Sequence, residues 1–261
     1  MPEAEMTRIA APALRALLEG FIDYAGLFPP ARVELDQALA NYEEYGHSDH
    51  RWMLRWFVVS GKELDKIPDQ YDGTLSILAE ADQHRAAAIE SNNPVQSTRP
   101  VYCEVAVNNL AALEAVKEAN NYAKIRTGGL KAEAIPSPTA VANFISACAE
   151  RKLPFKATAG LHHPIRAEQA LTYEVNAERA VMHGFINVLL AAAFAWHGER
   201  RIEPIIAETE ASAFSFDERA HWRAKSLSLE EITDARKNFI HAVGSCSFTE
   251  PIQDLQVLGL L

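Results

Sequence analysis

Along most of the chain, short runs of β-branched and aromatic residues alternate with stretches in which apolar residues recur every three or four positions. That alternation predicts βαβ units and a parallel sheet. The clearest unit is YAKIRTGG, then SPTAVANFISACAERK, then PFKATAGL, which reads strand, helix, strand. Ser137 suits the N-cap, Pro138 the first helical position, and Val141, Phe144, Ile145 and Cys148 form one apolar stripe. Upstream, RPVYCEVAV predicts a strand followed by a helix from about Asn109, and TLSILAE a strand followed by a helix through AAAIE. Further upstream, WMLRWFVVS reads as a strand, FIDYAGLF as a first one, and VELDQALANYEEYG as the helix between them.

Downstream, AFSFDERAHW is a strand candidate. Ser228 and Glu231 form a capping box ahead of Ile232, Ala235, Phe239, Ala242 and Val243, with Gly244 as the helix stop. The apolar stretch Val181 to Trp196 is broken by His183, Gly184 and Asn187 and is shorter than the roughly 20 residues of a membrane span, so it reads as a buried helix. Residues 165–210 either hold an eighth strand near HGFINV or are helical throughout. These elements, with no linker and no repeat, predict one α/β domain over 1–261, a TIM-type (β/α)8 barrel. The rival is an open doubly wound sheet, but no strand is followed by GxGxxG or GxxxxGK[ST].

Composition narrows the function. Hydrophobic residues make up 48% and charged residues 23% of the 261, ordinary for a globular chain. The 35 acids against 25 Lys and Arg give a net charge of −10, which argues against nucleic acid and anionic membrane surfaces as partners. A local basic cleft can still take a small anion. The cysteines, Cys103, Cys148 and Cys246, are too few and too widely spaced for a disulfide framework or a CxxC site, and they fit a reducing, cytoplasmic setting. The leading MPEAEMTRIAAPALRALLEG carries acids early and has no continuous apolar core, so no secretory leader is expected. Homo-oligomerisation stays open.

Reading every second residue separates the two faces of each strand. One face is apolar: Leu75, Ile77 and Ala79; Val101, Cys103 and Val105; Ala123 and Ile125; Phe155, Ala157 and Ala159; Phe214 and Phe216. The other carries Glu80, Tyr102, Glu104, Lys124, Arg126, Lys156, Thr158, Ser215 and Asp217, six of them fully charged at neutral pH. Directed into a barrel, such charges either form a salt-bridge network that fixes strand register or line a substrate mouth at the strands' C-terminal ends. Asp23 and Tyr24 reach the same mouth if FIDYAGLF is the first strand.

KIRTGG and KATAGLHHP each place a lysine on a strand ahead of a glycine turn whose backbone N–H groups can approach an anion: Gly128 and Gly129 in the first, Gly160 in the second. Over about 40 residues this pair resembles the two lysine strands of class I deoxyribose-phosphate-type aldolases, K-x-x-T-G followed one unit later by K-[AP]-x-G-G. The resemblance implies that Lys124 forms a Schiff base and that Lys156 lowers its pKa. Arg126 stands where that family has a small hydroxyl residue, and Ala159 replaces the first glycine of the second turn. Over most of the chain, DYAGLFPPA, KIRTGG, FKATAGLHHP and GSCSF are similar to a bacterial family of (β/α)-barrel-like proteins, a similarity that implies no activity.

The leading expectation is a lyase or aldolase acting on a small carbonyl compound that bears an anion. Lys124 or Lys156 serves as imine nucleophile or base, and Glu104 as proton shuttle or lysine partner. Arg126, Thr158, Gly128, Gly129, Gly160 and Glu80 bind the substrate, and no cofactor is required. The alternative is a divalent-metal enzyme of the enolising or hydrolytic kind, in which one of the adjacent His162 and His163, with Glu104, Glu80 or Asp217, holds Mn, Zn or Fe. A third reading is a non-catalytic small-molecule binding protein. Cys246 reads as a structural thiol with no base in its neighbourhood. His183 and Asn187, one helical turn apart, bond each other or face a pocket.

Overall fold

The computed structural model describes residues 10–261; the first nine residues of the acidic leading segment lie outside them. Helix α1 (Pro12–Leu18) precedes β1 (Ile22–Tyr24), α2 (Leu35–His47) and β2 (Leu54–Ser60). Then follow β3 (Leu75–Leu78), β4 (Ala86–Ser91), β5 (Val101–Glu104), α3 (Ala112–Glu118), β6 (Tyr122–Arg126), α4 (Pro138–Arg151) and β7 (Phe155–Thr158). A hairpin of β8 (Ala167–Ala170) and β9 (Arg179–Met182) leads to α5 (Phe185–Trp196) and α6 (Glu203–Ala207). The chain ends with β10 (Phe214–Phe216), β11 (Arg219–Trp222), β12 (Lys225–Ser228), α7 (Leu229–Asn238), β13 (Ile240–Ser245) and α8 (Thr249–Val257).

Strands β1 to β7 and β13 pair in parallel and close into an eight-stranded barrel in the order β1, β13, β7, β6, β5, β4, β3, β2. The α/β TIM-type architecture expected from the pattern is therefore present. The caps form as read: the Ser137 side chain accepts from the Ala140 N–H at the start of α4, and Ser228 and Glu231 make the reciprocal capping box of α7. Helix α5 is apolar apart from Asn187 and buried over Phe185–Ala195, packed among α4, α6, α7 and β13, as a helix hydrophobic nearly all round requires. No helix among the described residues is long and apolar enough to cross a membrane.

Three assignments differ from expectation. AAAIE is not a helix but most of barrel strand β4, because small alanines fit both faces of a closed sheet and no helical cap precedes them. No α-helix covers the β2–β3 and β3–β4 connections. There the Arg85 guanidinium donates to the carbonyls of Leu64, Ile67 and Pro68 and to Asp72, tying the two loops together. The eighth strand is β13, not HGFINV: α7 stops at Asn238, and Ala242, Val243 and Gly244 belong to the sheet, so Gly244 is not a helix stop. Its missing Cβ instead admits Thr158, whose methyl carbon would lie 3.2 Å from a Cβ there. AFSFDERAHW forms β10 and β11 of a separate antiparallel sheet with β12, outside the barrel.

The strand-parity reading holds within β5, β6 and β7. Cys103, Ala123, Ile125, Phe155 and Ala157 pack in the outer core, and Lys124 lies in register with Lys156 and Glu104.

Candidate active site

The barrel lumen holds a column of paired charges. At its centre the Lys156 ammonium, fully buried, donates to the carboxylates of Asp23 on β1 and Glu90 on β4, the latter at 2.7 Å. Glu90 also accepts from Ser76 Oγ at 2.9 Å and from Lys124 Nζ at 3.2 Å. Lys124 meets Glu104 Oε2 at 3.2 Å, and Glu104 faces Arg126 Nη1 at 3.9 Å. Below the centre, Arg55 lies 3.7 Å from Asp23 and donates to the Tyr102 hydroxyl at 3.2 Å, and that hydroxyl is 2.8 Å from His241 Nδ1. Three carboxylates, Asp23, Glu90 and Glu104, thus face Arg55, Lys124 and Lys156, with Arg126 half in solvent at the rim.

This compensation lets charge replace the apolar layers that usually fill a parallel barrel. Burial pushes the Glu90 carboxyl up, but the ammoniums of Lys156 and Lys124 outweigh it and hold it down at about 2. Burial pushes Lys156 down, and Asp23 and Glu90 more than reverse that, so it stays a cation. His241 goes the other way: burial first, then the charges of Arg55 and Arg236, lower it to about 3, which leaves a neutral imidazole able to accept from Tyr102.

At the C-terminal ends of the strands the column opens into a cavity of about 330 Å³. Glu90, Lys124, Arg126 and Thr158 form its floor and wall, with Gly129 and Gly160 in the turns above and the Phe28–Pro30 segment opposite. Leu171 and Met182 of the β8–β9 hairpin region also line it. Lys156 and Asp23 do not reach this cavity; they sit beneath it. The two glycine turns lock together: a Cβ on Gly128 would lie 3.0 Å from Gly160 Cα, and Thr127 Oγ1 donates to the Ala159 carbonyl at 2.7 Å. Gly128 is thus a packing glycine rather than part of the cavity wall. Ala159 and Gly160 take φ of 64° and 75°, so Ala159 leaves the strand and lines the cavity instead of continuing the outer face. That left-handed alanine costs about 1 kcal/mol that a glycine would not.

Of the residues singled out from the sequence, Lys124, Lys156, Glu104, Arg126, Thr158, Gly129 and Gly160 converge, and Asp23 joins them. Glu80 does not. Strand β3 ends at Leu78, and Glu80 turns outward to accept from Asn92 and Asn93, because alternation stops where pairing stops. Ser215 lies in β10 of the antiparallel sheet and Asp217 in the turn after it, where the Asp217 carboxylate accepts from the Arg219 N–H and meets His221. The expected pairing of His162 or His163 with Asp217 or Glu80 does not form: His163 pairs with Asp254 at 2.6 Å, His162 lines the cavity, and Asp217 and Glu80 are elsewhere. Among the described residues no three His, Cys, Asp or Glu side chains are placed to hold a metal ion. His183 and Asn187 do not bond each other. His183 Nε2 meets the Pro136 carbonyl, and Asn187 caps the backbone of Arg166, Ile205 and Glu208.

Sequence reasoning missed Glu90 and Arg55. For Glu90 a signal existed: read as a strand, AAAIES puts Ala88 and Glu90 on one face and Ile89 on the other. Compared with known proteins, the chain matches no protein-family model and no curated protein.

Proposed function

We propose that the cavity is the active site of a lyase or aldolase-type enzyme in which Lys124 condenses with a small carbonyl compound carrying an anionic group. The observation that carries this reading is the placement of Lys124. Among the described residues it is the one lysine lining the cavity, which opens at the C-terminal face where (β/α) barrels do their chemistry, and from mid-β6 it stands directly beside a buried ammonium in register on the next strand. The resemblance of KIRTGG and KATAG to the lysine strands of class I deoxyribose-phosphate-type aldolases favours the same assignment.

Attack on a carbonyl carbon requires the Lys124 proton to leave. Glu104, a quarter exposed and 3.2 Å from Nζ, is the group that can receive it and later return it to the carbinolamine oxygen. Lys156 touches no ligand in this scheme. Held as a cation by Asp23 and Glu90, it acts as a positioning residue that fixes Glu90 beneath Lys124. Arg126, more than half exposed at the rim, is free to meet the substrate's anion, with Thr158 and the N–H groups of the Gly129 and Gly160 turns beside it.

The test is borohydride trapping with pyruvate, glyoxylate and triose phosphates as probes, read by peptide mass spectrometry. The expected result is a reduced adduct on Lys124 with at least one probe, absent in Lys124→Met. No adduct with any probe on a folded wild-type protein would overturn the imine reading.

A further inference from the structure

The geometry points to a second reactive centre on the same cavity wall: Cys246, with His162 as its acid–base partner and Glu250 beside the imidazole's Nδ1, forms a nucleophilic thiol site for small carbonyl electrophiles. It does not rest on imine formation at Lys124. The sequence offered no base for this cysteine, since Cys246 and His162 are 84 residues apart and meet only because β7 and β13 are neighbours in the closed barrel.

Both side chains line the cavity. Cys246 follows the end of β13, and His162 follows the left-handed turn after β7. Sγ lies 3.8 Å from each ring nitrogen of His162. His162 Nδ1 is also 3.4 Å from Glu250 Oε2 and 3.2 Å from Ser245 Oγ. The Tyr173 hydroxyl, from the loop between β8 and β9, donates to Glu250 at 2.9 Å and lies 3.7 Å from Sγ. The ionisable groups facing the thiol from the packed elements are therefore His162, Glu250, Tyr173 and, from β1, Tyr24. Burial works against a charged His162, but its bonds to Cys246 and Glu250 outweigh burial and raise it to about 9. At neutral pH the imidazole is thus a cation, with a proton to give to an oxygen beside the sulfur. The other two cysteines have no such partner: Cys103 and Cys148 are outer-core thiols, both pushed up by burial.

The chemistry closes without a co-reactant. Sγ adds to the carbonyl carbon of the ligand, an S–C bond forms as the C=O π pair moves to oxygen, and that oxygen takes the proton from the His162 imidazolium. The product is a hemithioacetal, and the reverse step releases the carbonyl compound. The ligand class is a small aldehyde or activated ketone that fits about 330 Å³ beside Arg126.

The test uses iodoacetamide on the full chain at neutral pH, with site-resolved mass spectrometry. Here S–C forms and iodide leaves, so the rate reports the nucleophile directly. Cys246 is expected to react about tenfold faster than a free small thiol under the same conditions. His162→Gln should lose about that factor while Cys103 and Cys148 stay unlabelled. A wild-type rate at or below that of the free thiol would overturn the assignment whether or not His162→Gln folds. So would equal rates in wild type and a folded His162→Gln, or a Cys246 that labels only on unfolding.

Discussion

Glu90 is the branch point of the lumen, and replacing it with Gln tests whether the column is held together as described. The change keeps the shape and removes one negative charge from a group that accepts from Lys156 at 2.7 Å, Ser76 at 2.9 Å and Lys124 at 3.2 Å. At an effective dielectric of about 20, each lysine contact is worth about 5 to 6 kcal/mol before desolvation is subtracted. Asp23 and Glu104 remain to face the two ammoniums, so the net loss should fall near the about 3–5 kcal/mol typical of breaking a buried pair. For a chain of this size that is a drop in Tm of about 6–20 °C. Urea denaturation followed by far-UV circular dichroism reads the loss. A double-mutant cycle with Lys156→Met should give a coupling of about 1–3 kcal/mol. Glu80→Gln, on an exposed carboxylate outside the lumen, should cost about 1 kcal/mol or less. A Glu90→Gln protein within about 1 kcal/mol of the parent, or strictly additive effects in the cycle, would refute the network.

Two further outcomes follow from the same structure. His241 is held near 3, below its ordinary 6.5, and Glu90 near 2, below 4.5. The unfolded chain therefore takes up protons that the folded one does not. The stability these groups contribute is complete above about pH 6.5 and declines as pH falls, first through His241 and then, below about 4.5, through Glu90 too, at up to about 1.4 kcal/mol per pH unit per group. Urea midpoints against pH should show that slope, and His241→Asn should flatten its upper part; an unchanged slope would remove His241 from the account. Gly128→Ala places a methyl 3.0 Å from Gly160 Cα, backbone that cannot swing aside, and should cost about 1–3 kcal/mol and disturb the cavity turns. A thermal melt matching wild type would show that the two turns are not locked.

What could be read from residues alone was whatever depends on local pattern. The caps at Ser137 and Ser228, the buried run now seen as α5, and the inward faces of β5, β6 and β7 all follow from spacing within about fifteen residues, and all are present. Of the three acids read as facing the bases, only Glu104 does so; the other two were misassigned. Glu80 and Asp217 have the right parity in their segments, yet parity places a side chain only while the strand is paired. One lies past the end of β3 and the other past the end of β10, in a sheet that never joins the barrel.

The sequence by itself determined that this chain alternates strands and helices and that Lys124 and Lys156 share a face, because side-chain direction along a paired strand is a property of the backbone. Which acids meet those lysines, and that a thiol meets an imidazole, was decided by closure. Joining β1 to β13 and β13 to β7 brings Asp23 within bonding reach of a lysine 133 residues away, and Cys246 within reach of His162, distances that no local rule encodes.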